Sequence, residues 1–116
     1  MPRRPRRRFE ALVADALDDL PDWVQGAMDN VAVVIEERPP PDDADLLGLY
    51  EGIARTERLD YAGALPDRIT LFRSTIEAEA GDDAERLRAV IAETVVHEVA
   101  HHFGISDERL EALGWD

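Results

Sequence analysis

Cysteine is absent from the 116-residue chain, which excludes a disulfide framework and any thiolate metal site. A metal, if one is held, must be bound by histidine and carboxylate. Lysine is absent too. All 13 basic residues are arginine, and five of them fall within the first eight positions. Long apolar runs are also missing. The stretch after the basic start, Phe9-Glu10-Ala11-Leu12-Val13-Ala14-Asp15, is broken by acids, so no signal-peptide core follows and no segment approaches membrane-span length. A cytoplasmic protein with no membrane partner is expected. Positive charge is scarce outside the N-terminal run. The net charge is -13, and without the five leading arginines eight basic residues face 26 acidic ones. An acidic body of this kind repels nucleic acid.

What is present is enough for one folded domain. Apolar residues make up 45% of the chain, an ordinary share for a globular protein, and the length allows a single core. Residues 1–8 have little to bury and read as a disordered Arg-rich arm, with residues 9–116 as one domain. Phe9, Leu12, Val13, Leu17 and Leu20 recur at helical spacing and Pro21 ends that helix, with one further turn at 22–28. Val31–Glu36 is short, apolar and β-branched, which predicts a strand ended by Pro39-Pro40-Pro41. Gly48–Gly52 predicts a short strand between glycines. Arg68–Arg73 predicts another, with Ile69, Leu71 and Arg73 on one face and Thr70 and Phe72 on the other. Residues 53–67 show no period. Glu77–Asp83 reads as a loop or frayed turn around Gly81. Asp82 or Asp83 can cap a long helix reaching about Phe103, striped by Leu87, Val90, Ile91, Thr94, Val95 and Ala100. Gly104 stands where a left-handed cap is wanted, and Ser106-Asp107-Glu108 can open a last short helix with Leu110 and Leu113.

The chemistry lies on that long helix. His97 and His101 are four residues apart, so their rings sit one turn apart on nearly the same face. Two imidazoles so placed form a bidentate site for a tetrahedral metal, and Glu98 between them can take a proton from a water at that metal. His102 falls about 140° away from this face. A catalytic zinc keeps three protein ligands and one open position. Gly104 lets the chain turn back, and Asp107 stands six residues past His101. Asp107 reads either as the third ligand or as the N-cap of the last helix, a role that Ser106 can take instead.

The segment His97-Glu98-Val99-Ala100-His101-His102-Phe103-Gly104-Ile105-Ser106-Asp107 resembles the metzincin zinc signature in its aspartate-ending form. With Gly48–Gly52 and Pro66–Arg73, the chain is similar over roughly residues 30–115 to the minimal zincin-like family of short bacterial proteins. That resemblance implies an α+β, zincin-like fold: a small mixed sheet on a long motif helix, with an N-terminal helix, a short C-terminal helix and a cleft between sheet and motif helix. It implies Zn2+ at His97, His101 and Asp107, Glu98 as general base, and a peptide or protein substrate. The chain departs from true metzincins. Only nine residues follow Asp107, and the two methionines are Met1 and Met28, so no methionine turn forms beneath the metal. Glu108 and Glu111 stand too close behind His101 to serve as the distant glutamate ligand of other zincins. A zinc-containing binding or regulatory module is the second function class that these residues fit.

Overall fold

The computed structural model describes residues 6–52 and 66–115. In this range helices α1 (Arg6–Asp18) and α2 (Asp22–Ala27) precede strand β1 (Val31–Glu36), and β2 (Gly48–Glu51) and β3 (Asp67–Phe72) follow. Helices α3 (Arg73–Ala80), α4 (Ala84–His102) and α5 (Asp107–Ala112) complete the order. The fold is α+β, as expected. Among the described residues no helix is long and apolar enough to cross a membrane.

The three-stranded sheet has the order β1-β3-β2. β1 runs parallel to β3 from Val31↔Asp67 to Glu36↔Phe72, and β2 runs antiparallel to it from Gly48↔Leu71 to Glu51↔Arg68. The central strand is covered on both faces: Ile69, Thr70, Leu71 and Phe72 are all buried. Its second half accordingly carries Ile69, Leu71 and Phe72 with only Thr70 polar, and the less buried polar positions Asp67 and Arg68 stand at its start. The long helix α4 packs against both the sheet and the other helices and contributes Leu87, Ile91, Val95, Val96 and Val99, all fully buried, to one core. α1 adds Phe9, Val13 and Ala16 from one stripe, and Leu20, two residues past its end, joins the same cluster. Residues at i, i+4 and i+7 share one helical face, so a single amphipathic turn pattern both forms α1 and docks it.

Three expectations are corrected. α1 begins at Arg6, so the last three residues of the expected arm are helical; arginine is a strong helix former and extends the pattern without strain. Residues 1–5 of that arm, like residues 53–65 of the aperiodic stretch, lie outside the described residues. The segment expected as a loop around Gly81 is largely helical, because α3 starts directly where β3 ends. Ile76 and Ala80, four apart, are both buried and pull this turn onto the core. Arg73, expected on a strand face, is instead the first residue of α3. It is buried and paired with Glu77 at 3.2 Å and Glu37 at 3.4 Å, as a buried charge requires. Gly81, with φ of 73°, then ends α3.

Candidate metal and peptidase site

The motif residues occupy the last two turns of α4. Val95, Val96, Val99 and Ala100 are fully buried, and this fixes the helix's rotation so that His97, Glu98, His101 and His102 face outward. The His97 and His101 rings lie one turn apart with centroids 6.0 Å from each other. The helix starts at Asp83, whose side chain accepts from the Glu85 and Arg86 amides. It ends at a left-handed turn: Gly104 has φ of 73°, its N–H bonds to the His101 carbonyl at 3.2 Å, and the Ile105 N–H reaches the Ala100 carbonyl at 2.8 Å. This pair of bonds satisfies the last carbonyls of α4 and reverses the chain.

The reversal brings α5 back alongside the motif. Ser106 caps it, its Oγ accepting from the Arg109 amide at 3.1 Å. The cap is therefore Ser106, and the Asp107 carboxylate is left for other work. Its Oδ1 lies 3.6 Å from His101 Nε2, with the two side chains 89% and 57% exposed. Leu110 is buried and pins α5 to the core. A second left-handed glycine, Gly114 with φ of 86°, closes α5 in the same manner as Gly104, with the Trp115 N–H on the Leu110 carbonyl at 2.8 Å. The Trp115 carbonyl then meets His97 Nε2 at 2.8 Å.

On the other side the motif helix touches the sheet. The Tyr50 amide donates to Glu98 Oε1 at 3.0 Å. Burial lifts the Glu98 carboxyl above the ordinary glutamate range, and the Tyr50 bond and the two nearby histidines pull it partly back. This contact depends on Gly48: a Cβ there would stand 2.8 Å from Thr94 Cγ2 and 3.1 Å from the Thr70 carbonyl. Only a bare backbone lets β2 lie this close to α4. The Tyr50 ring stacks on His102 with centroids 3.8 Å apart, and its hydroxyl donates to Asp67 Oδ2 at 3.0 Å. His102 thus faces the aromatic side and not the His97–His101 face. As a lone tyrosine, Tyr50 reads from the sequence as an ordinary packing residue, and its main-chain N–H bond to Glu98 carries no side-chain signal. The visible signal was the pair Gly48 and Gly52, which marks a strand approached closely by something else.

Between the sheet and α4 opens a cleft of about 480 Å³. One wall is the segment from Asp43 to Gly48; the other carries Val90, Thr94, His97, Glu98 and His101. The wall loop is tied to α3 by the Thr75 hydroxyl, which donates to the Leu46 carbonyl at 2.6 Å. Carboxylates of Asp43, Asp45, Glu79 and Glu93 also line the cleft.

The donor set suits zinc: two imidazoles and a carboxylate, with no thiolate. Two ligands that share a tetrahedral zinc at about 2.0–2.1 Å stand roughly 3.4 Å apart, close to the 3.6 Å between His101 Nε2 and Asp107 Oδ1. His97 lines the same cleft but turns its Nε2 to Trp115. As the side chains stand, no three histidine or carboxylate groups among the described residues are gathered closely enough to hold an ion. The structure therefore brings His101 and Asp107 close together, with Glu98 on the same helix as His101, and turns His97 Nε2 to Trp115 instead.

A small mixed sheet on a long helix, with His-Glu-x-x-His facing the intervening cleft, defines the class: an α+β protein of the zincin kind. The family model for zincin-like metallopeptidases matches residues 28–115, and the chain belongs to that family. Among solved structures, a conserved hypothetical protein from T. thermophilus is similar, with 23% identity and a TM-score of 0.56 over 97% of this chain and 100% of that one. Comparison with curated proteins returns no match.

Proposed function

We propose that the protein is a zinc-dependent metallopeptidase that uses His97, His101 and Asp107 as ligands and Glu98 as general base. The observation that carries this reading is the placement of Glu98. It stands between the two histidines in an open cleft, half-buried, with its carboxylate held by the Tyr50 amide. Zinc, when bound, supplies Lewis acidity toward a scissile carbonyl and toward a water. Glu98 takes the proton of the attacking water and later gives it to the leaving amine. Its raised affinity for a proton suits both halves of that exchange. The hydrogen bond from Tyr50 keeps the carboxylate from swinging out of the cleft.

A placement for the substrate is supported by the free part of β2's outer edge, since the Tyr50 N–H is taken by Glu98. The Phe72 N–H bonds to the Leu47 carbonyl at 2.9 Å, so in the antiparallel alternation Gly48 turns its own N–H and C=O away from β3 and toward the cleft. An extended peptide can add to this edge by main-chain hydrogen bonds. A zinc-containing binding module that cleaves nothing is the second reading, favoured by the two methionines lying at Met1 and Met28, away from the motif. Cleavage of a broad peptide library by the zinc-loaded protein, beside Glu98→Ala, separates the two. Cleavage that disappears in Glu98→Ala supports the peptidase. Zinc binding with no Glu98-dependent cleavage overturns it in favour of the binding module.

A further inference from the structure

The turn at Gly114 lies outside the expected motif yet reaches into it. Gly114 sits at φ of 86°, its N–H bonds to the Glu111 carbonyl at 3.0 Å, and the Trp115 N–H bonds to the Leu110 carbonyl at 2.8 Å. Leu110 is fully buried, and Trp115 is half-buried and packed against the core. The Trp115 carbonyl is therefore held from both sides when it meets His97 Nε2 at 2.8 Å. A carbonyl only accepts, so Nε2 must carry the hydrogen and the lone pair moves to Nδ1. The nitrogen so occupied is the one the site needs. The His101 nitrogen that faces Asp107 is its Nε2, and the equivalent nitrogen of His97, one turn earlier on the same face, is the one engaged by Trp115.

We infer that the C-terminal turn is a latch on His97: the Trp115 carbonyl fixes the ring's tautomer and competes with zinc for Nε2. This rests on the zinc-ligand reading above. While the latch is closed, His97 is withheld from the ligand set, which accounts for the pair that stands in place of a triad. For Nε2 to serve as a ligand the ring would have to change tautomer, giving up the Nε2 proton to solvent and taking one up at Nδ1, and the Trp115 carbonyl would be freed. Trp115 is thus a positioning residue that acts through His97 by its main chain, so its side chain is not what holds the ring.

The test uses the full-length, metal-free protein labelled with nitrogen-15, at pH 8, where ordinary histidines are neutral. Ring-nitrogen shifts report the tautomer of His97. The latch predicts a single Nε2–H form in the parent protein, in Trp115→Phe, which keeps the carbonyl, and in Gly114→Asn, since asparagine tolerates positive φ. Gly114→Val, which does not tolerate it, is expected to show mixed tautomers and to bind zinc roughly 3- to 10-fold more tightly, the worth of one typical hydrogen bond. Zinc saturation of the parent removes the Nε2–H signal and shifts the Trp115 backbone resonances. Mixed tautomers in the parent overturn the latch whether or not zinc binds. Zinc bound with Nε2–H intact overturns the competition and leaves the zinc reading standing. Failure of zinc to bind the parent protein sinks the zinc reading and the competition together, while the metal-free tautomer still decides whether the turn holds the ring.

Discussion

On the sheet side of the cleft, Glu98 is held by the Tyr50 amide at 3.0 Å, on a strand brought close by the bare backbone of Gly48. On the C-terminal side, His101 and Asp107 face each other at 3.6 Å with most of their surfaces open to water, and His97 is bonded to Trp115. The proposed base is preorganised and the proposed ligands are not. The difference follows from the parts available. Glu98 faces a core-packed strand, so one main-chain donor orients it at little entropic cost. Asp107 stands at the start of a six-residue helix fastened by one buried leucine, Leu110. The proposed base is thus held by the fold, and the proposed ligands are not.

Substitutions can break this contrast, and the largest effect is expected at Glu98. Glu98→Gln keeps an acceptor for the Tyr50 amide but cannot take a proton, so peptide cleavage should fall about 10²–10⁴-fold, measured as kcat at saturating zinc. The same variant probes the base's environment without metal. Burial raises the Glu98 pKa above the ordinary 4.5, so its ionised form costs stability in the fold. Its contribution is favourable below the unfolded pKa and is lost as pH rises through the folded one. Glu98→Gln should therefore raise the Tm of the metal-free protein at pH 7, and the gain should vanish as pH falls below the ordinary value. A Tm gain that grows toward acid pH would contradict the assignment.

Next in size is the ligand side. Asp107→Ala should weaken zinc binding by more than the roughly 10–100-fold that outer-shell partners are worth, with almost no change in the Tm of the metal-free protein because the side chain is exposed. Titration calorimetry and thermal melts together check both halves; a large metal-free destabilisation would show that Asp107 is structural. Gly48→Ala sharpens the sheet side. Its Cβ meets Thr94 at 2.8 Å, and forcing β2 off the helix should cost about 1–3 kcal/mol of stability, with a drop in kcat as Glu98 loses its donor. Unchanged stability would mean that β2 is free to shift. The smallest effect belongs to Ser106→Ala, about 1 kcal/mol through the lost cap; zinc affinity should move less than in Asp107→Ala, which separates the cap from the ligand.

Much of this architecture is legible in the sequence where side chains alone decide it. Val31–Glu36 falls where its β-branched run ends at the prolines, and α4 is bounded by a capping aspartate and a glycine. α3 was hidden because a buried strand running straight into a helix offers no turn residue to mark the junction, and because Arg73 reads equally as an alternating strand residue. The site was legible in its side chains and hidden in its main chain. Nothing in the letters Tyr50 and Trp115 says that an amide of one reaches Glu98 or that a carbonyl of the other reaches His97. Those contacts depend on how β2 and the Gly114 turn are placed, which local pattern does not carry.

The most direct test is the metal content of the purified protein by elemental analysis, after dialysis against zinc and removal of the free ion. One zinc per chain is expected, kept in Glu98→Gln and lost in Asp107→Ala. A protein that retains no zinc, or that keeps its full zinc in Asp107→Ala, would contradict the three-ligand site on which the proposed peptidase depends.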